Sequence, residues 1–267
     1  MTFRMTLEGI YTPLVTPLNE DGSFNTDNLA DQIEYLIEKG VHGLISGGST
    51  GENYAQTVAE RLDLAHFTVE QTKGRVPVII GTGAMRTEDS IALAEGAREM
   101  GADALLLGTP PYSVPTEHEN ALNALKIDRA ADLPIILYNY PGRMGVEMGE
   151  EFLNRVGRSK NVIGIKESSG DINRVHLLAR DYPHIQMSCG MDDQALEFFA
   201  WGARSWICAG SNFLPEEHVY LYEAWVVNGD FVKGRKIMSA KAWPESMLSF
   251  SSIRIIFPET CRISRRS

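Results

Sequence analysis

Short apolar runs alternate with amphipathic helical stretches along most of this 267-residue chain. The runs are Gly9–Val15, Gly43–Ser46, Val76–Gly81, Ala104–Leu107, Pro134–Tyr138, Val162–Lys166, Ile185–Ser188 and Ser205–Ala209. Helical periodicity fills the intervals, as in Leu29–Glu38, Ala59–Gln71, Ser90–Met100 and Val175–Arg180. Each cycle takes roughly 25–30 residues, enough for a strand, a crossover helix and the return to a parallel strand. Eight such cycles predict an α/β protein whose sheet closes into a (β/α)8 TIM barrel. A doubly wound sheet would need a glycine-rich phosphate loop after its first strand. That strand instead ends in Thr16-Pro17-Leu18-Asn19, and Gly81-Thr82-Gly83-Ala84-Met85-Arg86 lacks the third glycine. The expected division is a barrel over 1–225 and a C-terminal helical region over 226–267.

Charge narrows the partners. Lysine and arginine number 25 against 35 acids, a formal charge of −10. That argues against nucleic acid or an anionic membrane, so an anionic substrate needs a local positive site. The apolar runs are too short to span a bilayer, and Met1-Thr2-Phe3-Arg4-Met5-Thr6 has no signal-peptide core. Cys189, Cys208 and Cys261 are odd in number and lack CxxC spacing, which fits a reducing, cytoplasmic setting.

A barrel carries its chemistry at the C-terminal ends of its strands, and the unusual residues of this sequence cluster there. They are Gly47–Glu52, Pro110-Pro111-Tyr112, Tyr138-Asn139-Tyr140-Pro141, Lys166 and Gly190-Met191-Asp192-Asp193. Lys166 closes the apolar run Val162-Ile163-Gly164-Ile165. Desolvation disfavours an ammonium, and the neutral amine is the form that adds to a ketone to give a Schiff base. The ordinary alternative is a strand-end lysine that reaches water and pairs with Glu167. Ser49 and Thr50 lie between glycines, where hydroxyls and backbone N–H groups can hold a carboxylate, or simply form a tight turn. Tyr138 is expected to point inward beside Lys166, as a proton carrier or as core packing.

Three segments together, Gly47-Gly48-Ser49-Thr50-Gly51-Glu52, Tyr138-Asn139-Tyr140-Pro141 and Gly164-Ile165-Lys166-Glu167, resemble the dihydrodipicolinate synthase / N-acetylneuraminate lyase family of Schiff-base pyruvate aldolases. The likeness runs from about Gly9 to about Ser239. It implies an imine between Lys166 and pyruvate, and no cofactor or metal. It implies a Thr50–Tyr138–Tyr112 proton relay, with Tyr112 reaching into a neighbouring subunit's site, and therefore a homo-oligomer, dimer or tetramer. Arg143 matches the arginine that binds the second substrate's carboxylate in the synthase branch, and a guanidinium suits that task. Ile207 matches a position whose carbonyl orients a reacting group. Gly190, Asp192 and Asp193 stand where the sialate-cleaving branch holds sugar hydroxyls; helix capping is their ordinary alternative.

The specificity signals divide. Gly48-Ser49-Thr50-Gly51-Glu52 is closer to the sialate lyase form, whereas Arg143 is closer to the synthase. Pro111 replaces a tyrosine common among synthases, and Ala209 replaces a serine usual among sialate lyases. The reading adopted is a lyase using pyruvate and an aldehyde, most like 4-hydroxy-tetrahydrodipicolinate synthase. N-acetylneuraminate lyase, another sugar-acid aldolase or dehydratase, and a catalytically silent keto-acid-binding protein are the alternatives. A metal-dependent aldolase is disfavoured because the 6 histidines are scattered. Helical pattern continues through Gly229–Met238 and then stops. Ser249–Ser267 has no amphipathic period and carries four arginines against Glu259, as a truncated or altered helical extension would. Poor packing and early proteolysis are expected after about Ala240.

Overall fold

The computed structural model describes residues 5–239. Its strands are β1 Gly9–Pro13, β2 Gly43–Ser46, β3 Val78–Gly81, β4 Ala104–Gly108, β5 Ile135–Asn139, β6 Val162–Glu167, β7 Gln186–Cys189 and β8 Ser205–Ile207. They pair in chain order, all parallel, and β8 returns to β1 to close the barrel. The helices are α1 Thr26–Glu38, α2 Val58–Thr72, α3 Thr87–Glu99, α4 Glu117–Ala131, α5 Pro141–Met144, α6 Glu150–Val156, α7 Ile172–Asp181, α8 Ala195–Ala200, α9 Pro215–Tyr222 and α10 Phe231–Met238. The expected barrel is therefore the observed one. The expected tail after Ala240 lies outside the described residues, and α10 falls within the predicted Gly229–Met238 pattern.

Local chemistry sets the boundaries. β3 begins two residues later than its apolar run because Pro77 has no N–H to donate; its carbonyl still accepts from Leu44 N at 3.0 Å. Helices α2 and α4 start at capping boxes, Thr57 with Glu60 and Thr116 with Glu119. Asn25 caps α1 and Asp171 caps α7, each accepting from a backbone N–H of the first turn.

Strand alternation divides the core in two. Leu7, Tyr11, Ile45, Ile79, Leu106, Ile136, Tyr138, Ile163 and Ile207 fill the barrel interior. Ile10, Ile80, Leu105, Leu137, Ile165 and Trp206 face outward and pack against helix residues such as Ala94, Phe152, Leu178 and Phe198. Cys189 and Cys208 are buried free thiols on that outward side, and burial pushes both well above the usual thiol range. No helix among the described residues is long and apolar enough to cross a membrane.

At the end of β6 the alternation separates two charges. Lys166 faces the interior, so Glu167 faces the helices. Glu167 is 1% exposed and accepts from Asn139 Nδ2 at 2.8 Å, Ser169 N at 2.7 Å and Arg174 Nε at 3.3 Å. Arg174 also donates to Met148 O at 2.7 Å and pairs with Glu147 at 3.1 Å. Asn139 Oδ1 accepts from Met148 N at 2.9 Å. The alternative pairing of Lys166 with Glu167 is thus excluded by the pleat, and the partner of Glu167 is Arg174. Removing one member of a buried ion pair strands the other, so Arg174→Met should lower the unfolding free energy by about 3–5 kcal/mol in urea titrations. A loss below about 1 kcal/mol, the range of an exposed pair, would show that the network does not secure β6.

Candidate active site

The top of the barrel is built in register. Gly108, Tyr138, Lys166 and Ser188 occupy one level on β4 to β7. Lys166 is 5% exposed, and its Nζ lies 4.5 Å from the centre of the Tyr138 ring. It forms no salt bridge among the described residues. The hydroxyl of Tyr138 lies 3.5 Å from Ser49 Oγ, the outer limit of a hydrogen bond. The Tyr140 ring is 5.9 Å from that of Tyr138, and the Arg143 guanidinium lies 5.4 Å over the Tyr140 ring. Lys166, Tyr138, Tyr140 and Arg143 therefore form a row from the buried interior to exposed α5. Sequence reasoning named Lys166, Tyr138 and Arg143 of that row and missed Tyr140, although it stands within the Tyr138-Asn139-Tyr140-Pro141 segment.

Gly190 supplies close approach. A Cβ there would strike Ser168 Oγ and stand 2.7 Å from Glu167 O and 3.0 Å from Lys166 Cε. The residue after β7 thus forms the wall against which the lysine stem lies, and any side chain would displace it. Ser168 was not singled out by sequence. It is 2% exposed, and its Oγ has no partner among the described residues.

Asp192 is 3% exposed and accepts from Trp206 Nε1 at 3.0 Å and Gly210 N at 3.3 Å. Burial raises its carboxyl to about 6, against those two bonds and the charge of Lys166, which all favour the carboxylate. This geometry ties Asp192 to β8 and the turn after it, rather than presenting a free acceptor at the mouth. Ile207, at the end of β8, is fully buried within the interior cluster.

Ser49 and Thr50 are half-buried in a 3-10 turn, Ser49–Gly51, which follows Gly47 at φ +70°. Thr16 Oγ1 and Gln56 Nε2 both donate to Gly51 O at 2.8 Å and fasten the turn. The structure brings Ser49, rather than Thr50, to the Tyr138 hydroxyl; Thr50 Oγ makes no hydrogen bond among the described residues. Tyr112 sits apart on the loop after β4, 88% exposed and at φ +68°. A non-glycine residue in that region is strained, and Ser113 N to Pro111 O at 2.8 Å holds the bend. Within one chain its phenol does not join the row of Lys166 and Tyr138.

An interior amine, a phenol packed on it, a hydroxyl-bearing turn and an exposed arginine stand at the C-terminal mouth of the barrel, and comparison with known proteins identifies the family. Residues 6–242 match the model of the dihydrodipicolinate synthetase family. A 4-hydroxy-tetrahydrodipicolinate synthase from Psychrobacter sp. (strain PRwf-1) is 36% identical over 88% of this chain and 78% of its own. The chloride-inhibited dihydrodipicolinate synthase from Acinetobacter baumannii, solved with pyruvate, superposes at a TM-score of 0.83 with 31% identity, over 87% of this chain and 80% of that one. YagE, a prophage protein of the same family from E. coli K12, also solved with pyruvate, superposes at 0.84 with 30% identity, over 88% and 80%. With its barrel, its matched residues and these relatives, the chain belongs to the dihydrodipicolinate synthetase family.

Proposed function

We propose that this chain is a class I lyase that joins pyruvate to an aldehyde through an imine on Lys166, with aspartate semialdehyde as the aldehyde, as in 4-hydroxy-tetrahydrodipicolinate synthase. The observation that carries the reading is the burial of Lys166 without an ion pair. It is an interior amine with no salt bridge among the described residues, lying 4.5 Å from the Tyr138 ring. The amine adds to the C2 carbonyl of pyruvate, and the carbinolamine loses water to form the imine. Loss of a C3 proton gives the enamine, whose C3 attacks the aldehyde carbon while the aldehyde oxygen takes up a proton. Attack on the imine carbon by water, or by the amine of the second substrate, then frees Lys166.

Each step needs a proton carrier, and Tyr138 is the phenol packed on that lysine. Ser49, within 3.5 Å of its hydroxyl, takes the relay position assigned to Thr50, which leaves Thr50 and the turn's N–H groups for the keto-acid carboxylate. Tyr112 serves a neighbouring copy of the chain in a homo-oligomer; its exposure and its strained, bonded loop support a contact outside its own barrel. Arg143 receives the carboxylate of the second substrate at the outer end of the row. Gly190 shapes the lysine's wall, and the buried end of β8 at Ile207 supplies a backbone carbonyl to orient a reacting group. The sugar-acid branch is less well supported, because Asp192 is buried and engaged by Trp206 and Gly210.

The direct test is turnover with pyruvate and aspartate semialdehyde, run beside N-acetylneuraminate cleavage. Condensation without sialate cleavage is expected; the reverse would move the chain to the sugar-acid branch. Tyr138→Phe keeps the packing and removes the carrier, so turnover should fall about 10²–10⁴-fold. Near-normal turnover would make Tyr138 a packing residue. Arg143→Ala should weaken the second substrate roughly 10- to 100-fold, the value of a charge-assisted hydrogen bond, with pyruvate saturation nearly unchanged. Equal weakening of both substrates would assign Arg143 to the shape of the whole mouth.

A further inference from the structure

Arg61 is a buried cation that the proposed chemistry leaves unused and that, unlike Arg174, has no carboxylate partner among the described residues. It lies in the first turns of α2 and is 5% exposed. Its Nη2 donates to Gly81 O at 2.7 Å and its Nη1 to Gly83 O at 3.0 Å, while its Nε has no partner among the described residues. It forms no salt bridge among the described residues. Burial lowers its pKa to about 10, with Asp89 opposing, so it carries its charge at neutral pH. Burying a charge without a carboxylate partner is costly, and two backbone carbonyls need no cation to be satisfied.

Arg61 grips the end of β3 and the residues after it, and that backbone packs on the one leading into the hydroxyl-bearing turn. A Cβ on Gly81 would strike Gly47 O and stand 2.7 Å from Gly47 C and 3.1 Å from Gly48 N. The two backbones are therefore in contact, and Gly47-Gly48 leads directly into Ser49 and Thr50. Gln56, just before α2, holds the end of the same turn through Gly51 O at 2.8 Å.

We propose that Arg61 is a positioning residue of the keto-acid pocket: its fork clamps Gly81 and Gly83 and so fixes the Gly47–Thr50 turn, and its charge lies behind that turn to favour a carboxylate. The proposal rests on the reading that this turn receives the carboxylate of pyruvate. In a chain of net charge −10, a cation behind the turn offsets the repulsion that an incoming anion meets. The two contributions are separable, because lysine keeps the charge but not the planar two-pronged clamp, whereas glutamine loses both.

The test is borohydride trapping of the imine at increasing concentrations of pyruvate and of pyruvamide, its neutral counterpart. Arg61→Gln should lower the preference for pyruvate over pyruvamide about tenfold, as expected for a unit charge on the order of 10 Å away at an effective dielectric constant near 20. Arg61→Lys should weaken both ligands about threefold, from loss of the clamp, and keep their ratio. A purely structural arginine would shift both ligands equally in the glutamine variant, and that result overturns the proposal. If Arg61→Gln does not fold, Arg61→Lys decides alone: wild-type saturation by both ligands, or a changed ratio, overturns it. Wild-type protein that forms no imine with either ligand overturns the functional reading and this proposal together. Normal wild-type trapping with the wrong variant pattern overturns this proposal only.

Discussion

The pleat of β6 is the constraint on which the site depends. Successive residues of a strand face opposite sides, so a Lys-Glu pair at its end is divided between the barrel interior and the helical layer. Glu167 is then free to take Arg174, Asn139 and Ser169 N as partners, and Lys166 is left inside without a carboxylate bonded to it. A one-residue shift of register would exchange the two and place an acid beside Tyr138. The network around Glu167 ties β5, β6, α7 and the segment before α6 into one register. The buried ion pair thus acts through specificity of position more than through net stability.

Backbone contact does the rest of the shaping. Gly190 brings the end of β7 against the stem of Lys166, and Gly81 brings the end of β3 against Gly47. Both are places where even a methyl group would push the wall outward, so the mouth is narrowed by absent side chains. The hydroxyl turn at Ser49–Gly51 is fastened at Gly51 O by Thr16 and Gln56, which also bond each other at 3.2 Å. A pocket set by such contacts is formed before ligand arrives, which is how a site avoids ordering costs on binding.

The barrel was legible because its period is local. Each strand needs a handful of apolar residues and each helix an amphipathic stretch, and Val162–Ile165 and Ala59–Gln71 show these in the sequence itself. The lysine, the inward tyrosine and the glycine-flanked turn were legible because position along a strand fixes which face a residue takes. Partners distant in sequence were not. Nothing in Gly164-Ile165-Lys166-Glu167 names Arg174 as the partner of Glu167. Nothing in Gly190-Met191-Asp192 names Trp206, whose indole engages the carboxylate that sequence reading offered to a sugar. Arg61 reads as one charged residue among several at the start of an amphipathic helix, and only closure of the barrel reveals it as buried. The choice between Ser49 and Thr50 beside Tyr138 turns on the pitch of one 3-10 turn, which neighbouring residue types do not determine.

The proposed chemistry requires the interior amine of Lys166 to be the nucleophile. Its most direct test is peptide mapping by mass spectrometry after borohydride reduction in the presence of pyruvate. One reduced pyruvyl group per chain is expected, on the peptide containing Lys166, and none in Lys166→Arg. A modification on any other lysine, or active wild-type protein that gains no mass, would contradict it.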